Sequence, residues 1–285
     1  MNFSIFRKTG VFFLVMSLLV ALLHVSCKEK SKSGDNEVMF DTITENIIQS
    51  IDYKQSKLKC NLNITFIYPV SCKKTAQLSD LQKLFIEKIF PLKYANLSPK
   101  DAVKNFSEQY IQDFKSIKFE NYFTDDYILE DENNYIYELS LENEILFNRN
   151  NFISFTVRNV NYEGGAHGSN SVYGYVIDLN TGKLLTEEDF VGKNYKKNLS
   201  PIIVQKIVSS KGYGDVSQLE SNGYNSIEDI VPNDNFTIDD KGITYYFNEY
   251  EIAAYFVGIT EVFIPYEELK AYITNDNPIS SLAGQ

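Results

Sequence analysis

The stretch Asn161 to Phe190, NYEGGAHGSNSVYGYVIDLNTGKLLTEEDF, sets the reading of the whole chain. It follows a run with strand composition, Phe152 to Tyr162, and opens on Gly164, Gly165, Ala166, His167 and Gly168. Three glycines in five residues call for backbone angles that a Cβ forbids, or for a close approach by another segment. Ser171 to Leu179 resumes a strand rich in Val, Tyr and Ile, and Asn180-Thr181-Gly182 turns the chain, with Gly182 suited to positive φ. Thr186, three residues before Asp189, is placed to cap the helix turn that follows.

Working outward, strands dominate from residue 119 onward. Tyr135 to Phe147 and Phe152 to Tyr162 flank Asn148-Arg149-Asn150-Asn151, a hairpin pattern. Asn194 to Ser210 has helical spacing, with Pro201 either kinking it or marking its start. Gly212 to Asn225 reads as a loop, Phe236 to Ile238, Ile243 to Phe247 and Ile259 to Ile264 as strands, and Glu267 to Ile273 as a short closing helix. Upstream, Leu58, Cys60, Leu62, Ile64 and Phe66 alternate with polar residues as a half-buried strand does. Leu78 to Phe90 and the segment after Ser98-Pro99 read as helices, the second with serine at N-cap and proline at N1. The expected fold class is α+β. A small N-terminal α/β unit (39–118) precedes a mostly antiparallel sheet domain (119–275) with one long and one short C-terminal helix, and 276–285 form a flexible tail.

The blocks Tyr162–Gly168 (YEGGAHG) and Asp178–Lys183 (DLNTGK) resemble the C-terminal domain of RsiV-type anti-sigma factors, a module also found in PdaC-type polysaccharide deacetylases. A second similar block runs from Ile243–Phe247 through Tyr250–Ala253 to Ile264–Leu269. The unit at 39–118 resembles the PdaC companion domain, chiefly through Ile67-Tyr68-Pro69 and its helix spacing. The resemblance implies an extracytoplasmic binding domain, because RsiV-like proteins bind lysozyme through it. Those anti-sigma factors also carry a cytoplasmic sigma-binding segment. Here only the ten residues before Val11 precede the apolar run, so sigma-factor binding is not expected.

Residues 1–26 have the form of a signal peptide: Arg7 and Lys8, then an apolar run from Val11 to Leu23, too short for the about 20 residues of a membrane span. Ser26 directly before Cys27 fits lipoprotein processing, making Cys27 the expected lipid attachment site; His24 departs from the usual leucine. Acyl chains would tether the protein to a bacterial envelope membrane through the polar segment 27–38. The chain carries 27 Lys and Arg against 38 Asp and Glu, a net charge of −11. Loss of Arg7 and Lys8 takes this to −13 (−11 − 2), which disfavours nucleic acid and favours a basic partner.

Catalytic chemistry has little to work with. Of two histidines, His24 lies in the signal peptide and His167 in the glycine loop, so the mature chain lacks the histidine pair used by the deacetylase module of PdaC-like proteins. His167 either shapes its loop or meets a ligand. Tyr162, Glu163, Gly164, Gly165, His167 and Gly168 form the candidate binding loop, and neither metal nor cofactor is expected. Cys60 and Cys72 lie on or just beyond an extended segment, which keeps them apart unless the chain reverses near Pro69. The favoured expectation is a non-catalytic envelope lipoprotein that binds a lysozyme-like protein or cell-wall glycan. Its alternatives are a glycan hydrolase using paired carboxylates such as Glu163 and Asp178, or a structural accessory of an outer-membrane complex.

Overall fold

The computed structural model describes residues 36–53, 56–73, 77–117, 136–164, 166–274 and 276–284. The signal segment, Cys27, Gly165 and the domain boundary expected at residue 118 lie outside them. No helix of the described residues is long and apolar enough to cross a membrane.

Two long strands, β1 (Met39–Tyr53) and β2 (Ser56–Ser71), pair antiparallel along their whole length. The alternation read in β2 is realised: Leu58, Cys60, Leu62, Ile64 and Phe66 are buried, and the polar residues between them face the other way, partly exposed. Helix α1 (Leu78–Ile89) stops before Pro91. Helix α2 (Pro99–Lys115) starts on the Ser98 cap, whose hydroxyl accepts the Asp101 N–H at 3.2 Å. The chain then returns as β3 (Ile136–Arg149), parallel to β2. A hairpin whose turn residues Asn150 and Asn151 sit at φ 53° and 63° leads into β4 (Phe152–Tyr162). The glycine loop then leads to β5 (Ser169–Asp178), and Asn180-Thr181-Gly182 to the short β6 (Lys183–Leu184). All six strands form one sheet in the order β1-β2-β3-β4-β5-β6.

The remainder covers one face of that sheet. Helix α3 (Glu187–Val191) starts on the Thr186–Asp189 capping box expected from the sequence. Helix α4 (Tyr195–Ser210) contains Pro201 rather than starting after it. After α5 (Gln218–Ser221), β7 (Phe236–Ile238), β8 (Gly242–Phe247) and β9 (Thr260–Pro265) form a second, antiparallel sheet closed by α6 (Tyr266–Leu269). Two cores result. Phe66, Phe85 and Phe155 lie in one, beneath α1 and α2. Phe152, Val176, Phe236 and Ile203 lie in the other, between the sheets and α4. The fold is thus mixed α+β, with strands and helices first and an antiparallel sheet with helices after.

Two local expectations are corrected, and one strand has no counterpart in the sequence reading. Strand β1 was not anticipated, because Ile43, Ile47 and Ile51 recur every four residues, a spacing that fits a strand face and a helix stripe alike. The loop at 212–225 holds α5 because Leu219 is wholly buried. The tail is anchored: Ile279 and Ala283 join the second core, and the Asn277 side-chain amide donates to Phe190 O at 2.6 Å. Both described cysteines are free. Cys60 is buried within β2, and Cys72 follows the strand's end with no reversal between.

Candidate functional site

Strand β5 has a neighbour along its full length on one side only, β4. Its outer edge is closed by side chains. The Asn170 N–H donates to Glu249 Oε2 (3.1 Å), the Val172 N–H to Asn248 Oδ1 (2.7 Å) and the Gly174 N–H to Asn235 Oδ1 (2.6 Å). Asn235 Nδ2 returns bonds to Val172 O and Tyr246 O. The four bonds to β5 replace ones that a further strand would make, which blunts an edge open to pairing. Gly174 is required here: a Cβ would lie 2.6 Å from the Phe236 backbone. Two polar segments, 233–235 and 248–251, are thereby fixed beside the glycine loop.

That fixing brings the loop against an aromatic cluster. The His167 ring stacks on Tyr255 with centroids 4.0 Å apart, and Tyr255 stacks on Tyr250 at 5.6 Å. His167 Nδ1 lies 3.0 Å from Gly168 O, and its Nε2 lies 3.4 Å from the Tyr250 hydroxyl. A proton on Nδ1 donates to the carbonyl and leaves Nε2 to accept from the tyrosine. The Tyr255 hydroxyl donates to the same Gly168 carbonyl at 3.3 Å. Tyr250 is held at φ 66°, an unusual angle for a bulky residue, by a turn in which Glu251 accepts from the Asn248 N–H and the Asn233 side-chain amide. The next residues, Ile252 and Ala253, are buried and anchor the segment. Phe256 follows, its ring over Gly223, whose φ is 91° and whose added Cβ would lie 2.4 Å from the ring.

The candidate loop therefore divides. His167 and Gly168 join the aromatic cluster. Gly164, at φ 89°, makes the turn, and Tyr162 ends β4 opposite Glu138. Gly168 packs closely, since a Cβ there would lie 2.8 Å from Asn161 O. Glu163 is exposed, and its charge adds to burial in raising the pKa of Cys60 and Tyr110. Asp178, at the far end of the strand pair, accepts from the Asn180 N–H and the Thr181 hydroxyl and serves its turn. The β4–β5 register sets Asp178 against Phe152 and Ser169 against Asn161. That separates Glu163 from Asp178 by about 30 Å at roughly 3.3 Å per residue, far beyond the roughly 5–10 Å of a glycosidase pair. Tyr250, Tyr255 and Phe256 were not read as site residues from the sequence. Only the likeness of the block at 250–253 pointed there.

Beneath the polar segments lies a second cluster. Glu187, wholly buried, accepts the Asp234 N–H at 2.9 Å and returns its own N–H to Asp234 Oδ1 at 3.2 Å. Burial, reinforced by Asp234, pushes the Glu187 carboxyl up to about 8. The Tyr245 hydroxyl faces this acid. Neither it nor Glu187 Oε2 makes a well-formed hydrogen bond. Asp234 also lines an open cleft of about 190 Å³, with Tyr173, Tyr175, Asn248 and Glu251 among its other walls.

Comparison with known proteins matches the chain in two successive segments. Residues 43–170 match the family model described as Deacetylase PdaC, and residues 185–267 match the one described as a protein of unknown function, DUF3298. The order is the one expected from the sequence. The aromatic cluster draws His167 from the first segment and Tyr250 and Tyr255 from the second. A crystal structure of a DUF3298 family member from Bacteroides fragilis NCTC 9343 is 28% identical, with a TM-score of 0.78, over 88% of this chain and 98% of that one. A DUF3298 family protein from Pseudomonas aeruginosa PAO1, 12% identical, shares the fold with a TM-score of 0.57 over 84% of this chain and 95% of its own. No curated protein matches the chain.

Proposed function

We propose that this chain, a PdaC-like segment running into a DUF3298 segment, is a lipid-anchored protein of the bacterial cell envelope that acts by binding a basic protein such as lysozyme. The observation that carries the reading is the aromatic face. Phe256 is 77% exposed and Tyr250 62%, on a segment pinned by its own buried residues and held against β5 by side-chain bonds. Large rings on a rigid base lose little freedom on docking, and such residues supply most of the energy of protein interfaces. Glu249 and Glu251 border the face, and the net charge of −11 would steer a cationic partner toward the molecule. Catalysis is not part of this reading: Glu163 and Asp178 do not converge, and His167 spends both ring nitrogens within its own cluster.

Cell-wall glycan is the second reading, favoured by the stacked His167, Tyr255 and Tyr250 rings, since flat aromatic faces also receive sugars. The fragment from Lys28 onward, passed over immobilised lysozyme and over peptidoglycan fragments at low salt, separates the two. Retention on lysozyme that is lost with Tyr250→Ala plus Phe256→Ala supports the protein partner. Retention on peptidoglycan alone supports the glycan, and retention on neither removes both.

A further inference from the structure

The two edges of the six-stranded sheet are treated differently. Side chains close the outer edge of β5, whereas β1, the outermost strand at the opposite end, bonds to β2 alone. Two of its outward groups are satisfied locally. The Thr42 N–H donates to Asp41 Oδ1 (2.9 Å), and Ser50 O accepts from Gln49 Nε2 (2.8 Å). Backbone groups alternate in direction along a strand, so Thr44, Asn46 and Ile48, between those two, aim their N–H and C=O groups outward. Among the described residues nothing bonds them. An edge this long and open is a template for a further strand.

The row on the helix-facing side of β1 is apolar: Ile43, Ile47 and Ile51 are partly buried against the first core. Ile43 and Ile47 also line an open groove of about 270 Å³ between β1 and α2. On its α2 side lies Ser107, 2% exposed, whose hydroxyl has no partner. Lys100 and Lys104 balance Glu45 and Glu108 around this groove, so the net charge of −11 is not concentrated here.

We propose that β1 pairs antiparallel with β1 of a second copy of this chain, about a two-fold axis at Ile47. The strand is self-complementary in that register. Ile43 meets Ile51 of the other copy, Ile47 meets itself, and the outward-pointing Asn46 and Ile48 exchange backbone bonds across the junction. Asp41 falls opposite Tyr53, Glu45 opposite Gln49 and Asp52 opposite Thr42, so no acid opposes an acid. Gln49 of the second copy thereby arrives beside Glu45, at the groove where the Ser107 hydroxyl lacks a partner. A two-fold contact of this kind closes on itself, leaves no edge for a third copy, and joins the two sheets into one.

Sedimentation equilibrium of the full chain in a density-matched mild detergent tests the pairing. A dimer is expected at micromolar concentration. Asn46→Pro removes an outward N–H, a change an edge strand tolerates, and Ile47→Lys sets two ammonium groups together on the axis. Each should weaken dimerisation at least ten-fold with little change in unfolding midpoint. Register is read by cross-linking in a Cys72→Ser background. Ile47→Cys should form an intermolecular disulfide on mild oxidation, because directly opposed residues lie about 4.5–5.5 Å apart between Cα atoms. Ser50→Cys should not, its counterpart being about 20 Å away at roughly 3.3 Å per residue. A monomer at every concentration, a dimer indifferent to both substitutions, or equal cross-linking of the two cysteine variants would overturn the pairing.

Discussion

Replacing Glu187 by glutamine should stabilise the protein at neutral and alkaline pH and do little in acid. The carboxyl is wholly buried, and its pKa is pushed from 4.5 up to about 8. The fold therefore holds the neutral acid, whereas the unfolded chain ionises it above 4.5. Stability contributed at low pH is lost progressively between pH 4.5 and 8, after which both states are ionised and the loss is constant. At pH 7 the gap is 7 − 4.5 = 2.5 units, which at 1.36 kcal/mol per unit gives a ceiling of about 3 kcal/mol. Relaxation around the charged acid lowers the expected gain to about 1–3 kcal/mol. Glutamine keeps an oxygen for the Asp234 N–H, and its new amide faces the Tyr245 hydroxyl and the Asp234 carboxyl. Urea unfolding of native and variant protein at several pH values between 5 and 8 reads the difference, and titrations common to both cancel. A native–variant gap that does not change with pH would refute the reasoning, because it would mean Glu187 is not held neutral.

Gly174→Ala should cost about 1–3 kcal/mol by overpacking, since its Cβ would meet backbone atoms that cannot swing aside; an unchanged denaturation midpoint would contradict the close approach of β5 and β7. Asn235→Ala removes the amide that bonds the Gly174 N–H, Val172 O and Tyr246 O in a buried setting, and should cost about 2–4 kcal/mol with faster amide exchange at Gly174. In the fragment from Lys28 onward, Cys72 should react readily with a thiol reagent, while Cys60, buried and with its thiol pushed up to about 11, should react only on unfolding. Two fast thiols, or none, would contradict the position of β2.

Much of the fold is legible in local chemistry. The alternation in β2, the Ser98-Pro99 cap, the Asn150-Asn151 hairpin and the Thr186–Asp189 box each specify their element within a few residues, and each is realised. What escapes is set by distant partners. Ile43, Ile47 and Ile51 are ambiguous until β2 pairs with them, and Ile279 gains a role only when the second core receives it. The site shows the same division. The glycine loop stands out from sequence alone, but His167 meets Tyr250 and Tyr255 across more than 80 residues of chain. Glu163 and His167, four residues apart, look like one site, yet the His167 ring stacks on Tyr255 while the charge of Glu163 acts on Cys60. The buried Glu187 is hidden as an ordinary helix-start acid, and its environment comes from Asp234 and Tyr245.

The exposed rings of Tyr250 and Phe256 are where the account is most open to test. Calorimetric titration of the fragment from Lys28 onward with lysozyme at low salt should give saturable one-to-one binding, weakened at least ten-fold by Tyr250→Ala plus Phe256→Ala with no change in unfolding midpoint. An absence of binding, or binding untouched by the loss of both rings, would contradict a docking role for this face.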